Sequence, residues 1–253
     1  MSESMRDSLS EDELKALPDG HPWKTEGSFS FGGIDFFPAD DSVVDDYERQ
    51  QKAFEAAKRK ERLEHDYRNA SGVPERYWDE SLDTYSPTDG EAERNLEAVR
   101  KFTQSRKRGK ALILCGNNGT GKSHLGCGAI REVGGQYVSV LKLLYMIDSS
   151  MSYRAKETKM EILDRLSRTP GVLVLDEIGR GVREEAMKEL VVYLMCERYA
   201  MMKDIIIISN LPKMELIKWL GLAVKDRLNE TCTVLEFNGE SYRSVKRGEL
   251  YTA

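Results

Sequence analysis

Short apolar runs alternate with amphipathic stretches along the second half of the chain. Uninterrupted apolar runs rich in Val, Ile and Leu are typical of parallel strands buried on both faces, and the stretches between them repeat apolar residues at helical spacing. The alternation predicts an α/β fold with a five-stranded parallel sheet covered by helices. The predicted strands are ALILC at residues 111–115, YVSVL at 137–141, VLVLD at 172–176, IIIIS at 205–209 and TCTVLEF at 231–237.

The segments between these strands are predicted to be helices. One begins at Gly121, others end near Arg168, a long one covers about 183–201, and two short ones precede the last strand. Residues 111–253 would then form one domain. Residues 76–110 would form a linker and a helix that begins at Thr88, where Glu91 completes a capping box.

The first 75 residues are predicted to form an extension that precedes this domain. Residues 1–41 lack periodicity and are rich in Gly, Pro, Ser and acids, which predicts a mostly disordered arm. Its cluster FSFGGIDFF, residues 29–37, suits either docking to a partner or packing on its own domain. In the segment 42–75, a helix is predicted from the cap Ser42 to about Ala70. Its thin apolar stripe favours a helix that projects into solvent or packs on a partner helix.

Charge divides the chain in the same way. The net charge of the 253 residues is −5, but residues 1–50 hold 13 acids and 4 bases, a balance of −9, which leaves +4 for the rest. An acidic arm repels phosphate and suits contacts with protein, whereas a mildly basic body could face phosphates.

Composition argues against several classes of protein. With 40% apolar and 8% aromatic residues, the whole chain is not a disordered protein. The four cysteines are scattered without a CxxC pair, which argues against a zinc site or a disulfide framework and fits a reducing compartment. No apolar run approaches the roughly 20 residues that span a bilayer, and the first residues lack a signal-peptide pattern. We therefore expect a cytoplasmic protein with no membrane partner.

The strongest chemical signal is the run GNNGTGKS, residues 116–123, which follows a predicted strand, precedes a helix and matches the pattern GxxxxGK[ST]. Its glycines let backbone N–H groups approach a β-phosphate, and the helix adds its positive dipole. Lys122 would reach the β- and γ-phosphates, and the Ser123 hydroxyl would bind Mg²⁺. The pattern predicts an ATP site whose binding residues are Gly116, Asn117, Asn118, Gly119, Thr120, Gly121, Lys122, Ser123 and His124.

Polar side chains also end two other predicted strands. Asp176 would meet the Mg²⁺ coordination sphere, and Glu177 would orient and deprotonate an attacking water. Two adjacent acids favour hydrolysis over transfer to a small metabolite. Asn210 either lies beside the γ-phosphate or forms a turn. Arg227, in KDRL, either completes the site of a neighbouring copy or forms a surface ion pair.

In their order and spacing, these motifs resemble the DnaC/IstB group of AAA+ ATPases. The matching segments, within about residues 68–247, are NASGVPERYWDESLDTY, GNNGTGKSHL, LVLDEIG, IIISNL, VKDRL and FNGESYRS. The last segment resembles the helicase loaders of the group more than its transposition helpers. The resemblance implies an AAA+ P-loop NTPase core. Only 16 residues follow Phe237, so the C-terminal helical lid of other AAA+ proteins is not expected.

The resemblance also implies roles for single residues. Lys122 and Ser123 match the Walker A positions, Asp176 and Glu177 match the Walker B pair, and Asn210 matches the sensor 1 position.

Other implied roles concern contacts beyond one copy. Arg227 matches an arginine finger that acts on ATP bound by an adjacent protomer, and Arg243 matches a C-terminal sensor-type arginine. A helical insertion that holds single-stranded DNA would correspond to residues 142–159. The side chains there that mix an aromatic ring with positive charge are Tyr153, Arg154 and Lys156.

The function expected from the resemblance is ATP-dependent loading of a replicative helicase onto single-stranded DNA, with slow ATP hydrolysis stimulated by DNA or partner. The implied partners are a hexameric DnaB-like helicase, single-stranded DNA and further copies of the chain. The cluster 29–37 or the helix 42–70 would contact the helicase. The alternatives are an IstB-like transposition helper on duplex DNA, a non-catalytic ATP-binding adaptor, against which Glu177 argues, and a P-loop kinase.

Overall fold

The computed structural model divides the chain into two units, residues 1–59 and 60–253. Among the described helices, none is both long and apolar enough to cross a membrane. Side chains are described from residue 49 onward. The described residues are 29–31, 34–36, 41–105, 108–179, 181, 183–221 and 231–242.

The first unit contains a short hairpin. Strands β1 (Phe29–Phe31) and β2 (Ile34–Phe36) are antiparallel, with Phe29 opposite Phe36 and Phe31 opposite Ile34. The apolar cluster 29–37 therefore contains paired strands.

A long helix, α1 (Asp41–Asn69), begins in the first unit and ends in the second. Because it begins at Asp41, Ser42 lies inside the helix, and the prediction of Ser42 as its cap is wrong. Residues 49–62 are exposed. Tyr67, by contrast, is 2% exposed, and its hydroxyl donates to the carbonyl oxygen of Tyr77 at 2.7 Å. The last turns of α1 thus belong to the core of the second unit.

The second unit is built on the predicted five-stranded parallel sheet. Its strands are β3 (Ala111–Gly116), β4 (Gly135–Ser139), β5 (Val172–Ile178), β6 (Ile205–Ser209) and β7 (Cys232–Phe237). Their spatial order is β4-β5-β6-β3-β7, and all neighbouring strands run parallel. The carboxyl ends of all five strands therefore lie on the same side of the domain, which brings together the polar residues at the ends of β3, β5 and β6.

Helices cover both faces of the sheet, as the continuous apolar strands predict. The helices are α2 (Gly90–Gln104), α3 (Lys122–Val133), α4 (Val140–Ser149), α5 (Lys159–Arg168), α6 (Glu184–Ala200) and α7 (Lys213–Leu220). In β3, Leu112 and Leu114 pack in one apolar cluster with α2 and α3, and Ile113 packs in another with α4 to α7; all three are at most 1% exposed. Each such side chain stabilises the fold by about 1.5–3 kcal/mol.

The boundary between β4 and α4 differs from the prediction. The strand ends at Ser139 and the helix begins at Val140, whereas the apolar run predicted a strand over 137–141. Val140 is fully buried at the start of the helix. The apolar run therefore continues from strand into helix, and hydrophobicity does not mark the point where one becomes the other.

The cap of α2 also differs from the prediction. Asp89 caps the helix, and its Oδ1 accepts from the backbone N–H of Ala92 at 2.8 Å, so the prediction of Thr88 as the cap is wrong. Glu91 accepts from the backbone N–H of Asn238 at 2.7 Å instead of completing a capping box. The carboxylate one position later takes the role because it is a good acceptor for the helix N–H groups.

Residues 71–91, here called the belt, cross α3 from one edge of the sheet to the other. At the β4 edge, Ser71 accepts from the backbone N–H of Tyr137 at 2.7 Å. Over α3, a Cβ added at Gly128 would lie 2.9 Å from the nitrogen of Leu82, so only glycine allows this approach. At the β7 edge, Glu91 binds the residue after the strand. The belt thereby lies across the end of the sheet where the polar residues gather.

A buried arginine connects α6 to two neighbouring segments. Arg198 is 0% exposed, and burial lowers its pKa to about 10. Its guanidinium donates twice to the carbonyl oxygen of Asp204, at 2.7 and 3.0 Å. It also donates to the carbonyl oxygens of Leu166, Ser167, Thr169 and Gly171. One side chain thus provides donors for the carbonyl oxygens at the end of α5, which have no partner within the helix, and for the turn into β6.

Candidate nucleotide-binding site

The loop between β3 and α3 turns sharply at its glycines. Gly116 and Gly121 have φ values of 118° and 89°, which side-chain-bearing residues rarely adopt. A Cβ at Gly116 would collide with the carbonyl oxygen of Phe237, and one at Gly121 would lie 2.5 Å from Cε2 of Tyr85. The loop therefore requires glycine for its own path and for the neighbours packed against it.

Lys122 begins α3 directly after this loop and is 4% exposed. Its ammonium group donates to the carbonyl oxygen of Gly116 at 2.9 Å and to that of Asn117. A charge so well buried must be compensated, and these loop carbonyls compensate it. The same loop ends at the N-terminus of α3, where the helix dipole favours an anion.

The carboxylate of Asp176, near the end of β5, is held by three donors. The Ser123 hydroxyl donates to its Oδ2 at 2.6 Å and the Tyr137 hydroxyl donates to the same oxygen at 2.8 Å. The backbone N–H of Glu177 donates to Oδ1 at 2.6 Å. Asp176 is 5% exposed. The hydroxyl and the carboxylate predicted to meet a metal are therefore in direct contact.

Glu177 follows in an unusual backbone conformation. Its φ is 64°, and the pairing of β5 with β6 shifts register between Leu175 and Ile178. The irregularity exposes the Glu177 side chain at the end of a strand whose other residues are buried. The Ser139 hydroxyl donates to its Oε2. Strained non-glycine residues of this kind cluster at functional sites, where they aim a side chain.

These side chains line one cleft of about 600 Å³ at the carboxyl end of the sheet. Lys122, Ser123, Asp176, Glu177 and Asn210 all contribute to its wall, so the structure brings together the predicted Walker A, Walker B and sensor 1 residues. The belt and the C-terminal segment supply much of the remaining wall, which includes Pro74, Arg76, Tyr77, Glu80, Thr84, Tyr85, Ser86, Thr88, Glu240 and Tyr242.

Gly116 and Asn117 are not among the residues that line this cleft. Asn117 instead anchors the loop to the segment after β7. Its backbone N–H donates to the carbonyl oxygen of Phe237 at 2.7 Å, and its side chain donates to that of Asn238 at 2.9 Å. The backbone N–H of Tyr242 donates to the carbonyl oxygen of Gly119 at 3.0 Å, which adds a further hydrogen bond between the two segments. The C-terminal segment thus fixes the back of the loop.

His124 lines the cleft, but its ring nitrogens point to the belt. Nδ1 lies 2.9 Å from Oε2 of Glu80, and Nε2 lies 2.7 Å from the carbonyl oxygen of Ser81. The ring also packs edge-on against Tyr85, with centroids 5.3 Å apart. In this arrangement the contacts of His124 connect α3 to the belt.

The donor set suits Mg²⁺ and a nucleotide. Mg²⁺ prefers hard oxygen ligands and is usually held by one or two protein oxygens together with phosphates and water. The Ser123 hydroxyl and the Asp176 carboxylate supply such oxygens, and the glycine loop, Lys122 and the end of α3 suit the phosphates.

The residues predicted to bind DNA lie away from this cleft. The prediction that residues 142–159 form a helical insertion is wrong for its second part, because α4 ends at Ser149 and residues 150–158 are turns and irregular backbone. Polar residues such as Ser149, Ser150 and Ser152 favour a turn at this point. The side chains predicted to contact DNA, Tyr153, Arg154 and Lys156, are exposed.

Two predicted arginines cannot be placed. Arg227 falls in residues 222–230, together with the second of the two short helices predicted before β7, and Arg243 falls in residues 243–253; both segments lie outside the described residues.

Neither the belt side of the cleft nor the contact of Tyr137 with Asp176 is predicted from the sequence. The sequence pattern assigns the aromatic residues and Arg76 of the belt only to a segment that precedes the domain. Tyr137 lies in a predicted strand, two residues before Ser139, which pairs in register with Asp176. Alternation along the strand could have placed Tyr137 on the same face as Ser139.

Comparison with known proteins gives consistent matches over this domain. Residues 47–249 match a family model described as IstB-like ATP binding protein. The chain is similar to the solved structure of the DnaC helicase loader, with a TM-score of 0.56 and 26% identity over 65% of this chain and 100% of that chain.

Two further structures share the fold. That of DnaI has a TM-score of 0.50 and 23% identity over 66% of this chain and 93% of that chain. That of the replication initiator DnaA, bound to AMPPCP and single-stranded DNA, has a TM-score of 0.55 and 17% identity over 71% of this chain and 56% of that chain. None of the curated proteins compared with the chain matched it.

Proposed function

The chain belongs to the family of IstB-like ATP-binding proteins, within the DnaC/IstB type of AAA+ ATPase, and from this premise we propose that it hydrolyses ATP to load a replicative helicase onto single-stranded DNA. The observation that carries the ATPase part is the convergence of Lys122, Ser123, Asp176 and Glu177 in one cleft at the carboxyl end of a parallel sheet.

Binding of ATP uses the groups that face the cleft. The backbone N–H groups of the loop and of the first turn of α3 contact the phosphates. Lys122 exchanges its loop carbonyls for phosphate oxygens, since its ammonium already lies beside Gly116 and Asn117. Ser123 and Asp176, which are already in contact, would hold Mg²⁺. When bound, Mg²⁺ neutralises charge that develops on the phosphate oxygens.

Hydrolysis requires a base near the γ-phosphate. Glu177 lies one residue after Asp176 and is exposed to the cleft by its irregular backbone, so it can orient a water and take its proton. Asn210, at the end of the neighbouring strand β6, lines the same cleft and would contact the γ-phosphate or the water. Arg227 would reach the site of an adjacent copy and stabilise charge there, which makes self-association part of the proposal.

Helicase loading is supported by the similarity to the DnaC helicase loader, which covers all of that chain at 26% identity. The partners proposed are a hexameric replicative helicase and single-stranded DNA. The exposed side chains Tyr153, Arg154 and Lys156 are suited to DNA, because an aromatic ring stacks on bases while cations follow the phosphates. The hairpin at residues 29–36 and the exposed part of α1 are the candidates for the helicase contact.

A second candidate function is that of a transposition helper acting on duplex DNA. The observation that favours it is the description of the matching family model, an IstB-like ATP binding protein, over residues 47–249. Such a protein would assemble on duplex DNA without any helicase.

Co-purification tests the two functions against each other. The full chain is mixed with a hexameric replicative helicase, with and without ATP, and separated by size. We expect a stable complex that contains both proteins. Separately, the chain is incubated with duplex DNA and ATP and inspected for filaments by electron microscopy. Filaments on duplex DNA combined with no helicase complex would instead establish the transposition helper.

A further inference from the structure

One hydrogen-bond donor in the cleft comes neither from the loop nor from β5, which carries Asp176 and Glu177. The Tyr137 hydroxyl, on β4, donates to Oδ2 of Asp176 at 2.8 Å. Ser123 donates to that same oxygen at 2.6 Å. Two side chains from different elements therefore orient one carboxylate oxygen, while the backbone N–H of Glu177 holds the other.

The position of Tyr137 is fixed on three sides. Its strand pairs with β5, with Tyr137 opposite Val174. Its backbone N–H donates to the carbonyl oxygen of Ser71 at 2.7 Å, and its own carbonyl oxygen would lie 2.8 Å from a Cβ at Gly72. Its ring packs against the apolar cluster that contains Val174 and Leu125. The hydroxyl is thus presented to Asp176 by rigid surroundings.

The Tyr137 hydroxyl carries its proton at neutral pH, as an ordinary phenol does, and it can therefore donate to the carboxylate.

Ser123 has two roles in the proposed site, because its hydroxyl oxygen would be a ligand of Mg²⁺ while its O–H donates to Asp176. The Tyr137 hydroxyl and the backbone N–H of Glu177 hold the carboxylate and would not themselves be metal ligands. Partners of this kind fix the orientation of a ligand and tune the affinity for the metal.

We propose that Tyr137 is a positioning residue that orients the Asp176 carboxylate toward the Mg²⁺ of bound Mg-ATP. The inference rests on the proposed binding of Mg-ATP in this cleft and adds a specific residue to it. Tyr137 acts through Asp176, so its removal should weaken the response to Mg²⁺ while leaving contacts of the loop with the phosphates intact.

The test is the Mg²⁺ dependence of nucleotide binding by the full chain. A fluorescent ATP analogue is bound to the wild type and to Tyr137→Phe in EDTA and across a titration with Mg²⁺. Loss of a partner that orients a metal ligand typically costs 10- to 100-fold in metal affinity, so the half-saturating Mg²⁺ concentration should rise about tenfold or more. Binding measured in EDTA should be unchanged.

Tyr67→Phe is the matched control. It also removes one hydroxyl from the same apolar cluster, since Tyr67 donates to the carbonyl oxygen of Tyr77 rather than to Asp176. It should share any loss of thermal stability with Tyr137→Phe but not the shift in Mg²⁺ dependence. In an Asp176→Asn background, Tyr137→Phe should produce no further shift, because the carboxylate it orients is already gone.

The outcomes separate this inference from the proposed function. A wild type that binds the analogue with a clear Mg²⁺ dependence, together with a Tyr137→Phe variant whose half-saturating Mg²⁺ lies within twofold of it, overturns the role of Tyr137 and leaves the function intact. Equal shifts in Tyr137→Phe and Tyr67→Phe overturn it as well. A wild type that binds no nucleotide overturns the proposed function itself.

Discussion

Among single residues, Glu177 is the one on which the proposed hydrolysis depends. Its φ of 64° and its exposed side chain distinguish it from Asp176, which is buried and hydrogen-bonded. If Glu177 activates water, Glu177→Gln keeps the shape of the side chain and removes the base. We expect kcat to fall by roughly 10²- to 10⁴-fold, measured as phosphate release, while the affinity for ATP is retained.

The control for that substitution is Glu189→Gln. Glu189 is an exposed carboxylate on α6 that does not line the cleft. It should leave phosphate release unchanged. Turnover by Glu177→Gln within a factor of two of the wild type would show that Glu177 is not the base.

Residues that lie in continuous motifs could be predicted from the sequence, and residues that meet across strands could not. The loop at residues 116–123 can be predicted because the glycines, lysine and serine that form it are close together in the sequence. The contact of Tyr137 with Asp176 spans 39 positions and depends on the register between β4 and β5. The orientation of His124 toward Glu80 likewise depends on where the belt crosses α3.

Among the secondary-structure elements, α6 carries a side chain whose loss should be costly, Arg198. Its six hydrogen bonds to five carbonyl oxygens connect the end of α5, the start of β5 and the turn before β6. Arg198→Met keeps the apolar stem and leaves these buried acceptors without their donor. We expect a loss of roughly 3 kcal/mol or more in the free energy of unfolding.

Urea unfolding measures this loss as a lower midpoint at an unchanged slope. Arg198→Lys is the matched comparison, because it keeps the charge but reaches fewer carbonyl oxygens than the planar guanidinium. Its midpoint should fall between those of the wild type and Arg198→Met. A midpoint for Arg198→Met equal to that of the wild type would contradict the structural role.

The type and order of the elements of the sheet domain could be predicted, but not all of their ends. Continuous apolar runs identify β3, β5 and β6 because both faces of those strands are buried. A continuous apolar run does not, however, show where β4 ends, because the run continues into α4 at Val140. Caps have a similar ambiguity, since Thr88 and Asp89 are adjacent acceptors and the fold uses only Asp89.

At the scale of the whole molecule, the extension and the ATPase domain should be separable near residue 60. Removal of residues 1–59 leaves Tyr67 in the core and keeps the bidentate pair of Arg131 with Glu64, at 2.8 and 3.0 Å. We expect this truncated chain to bind ATP like the full chain and to lose binding to the helicase. Equilibrium binding of a fluorescent ATP analogue and co-purification with the helicase measure the two properties.

A truncation at residue 70 is the instructive comparison. It also removes Tyr67 and Glu64, so we expect it to lose thermal stability and ATP binding together. Helicase binding retained by the chain that lacks residues 1–59 would contradict a docking role for the hairpin and the exposed part of α1.

Helicase loading is measured on circular single-stranded DNA, which offers no end for threading. A hexameric replicative helicase, ATP and the full chain are combined with a circle that carries an annealed oligonucleotide, and release of the oligonucleotide is followed. We expect release that requires the chain and is lost with Lys122→Ala. Release at the same rate without the chain, or no release with it under conditions where the chain binds ATP, would contradict the proposed function.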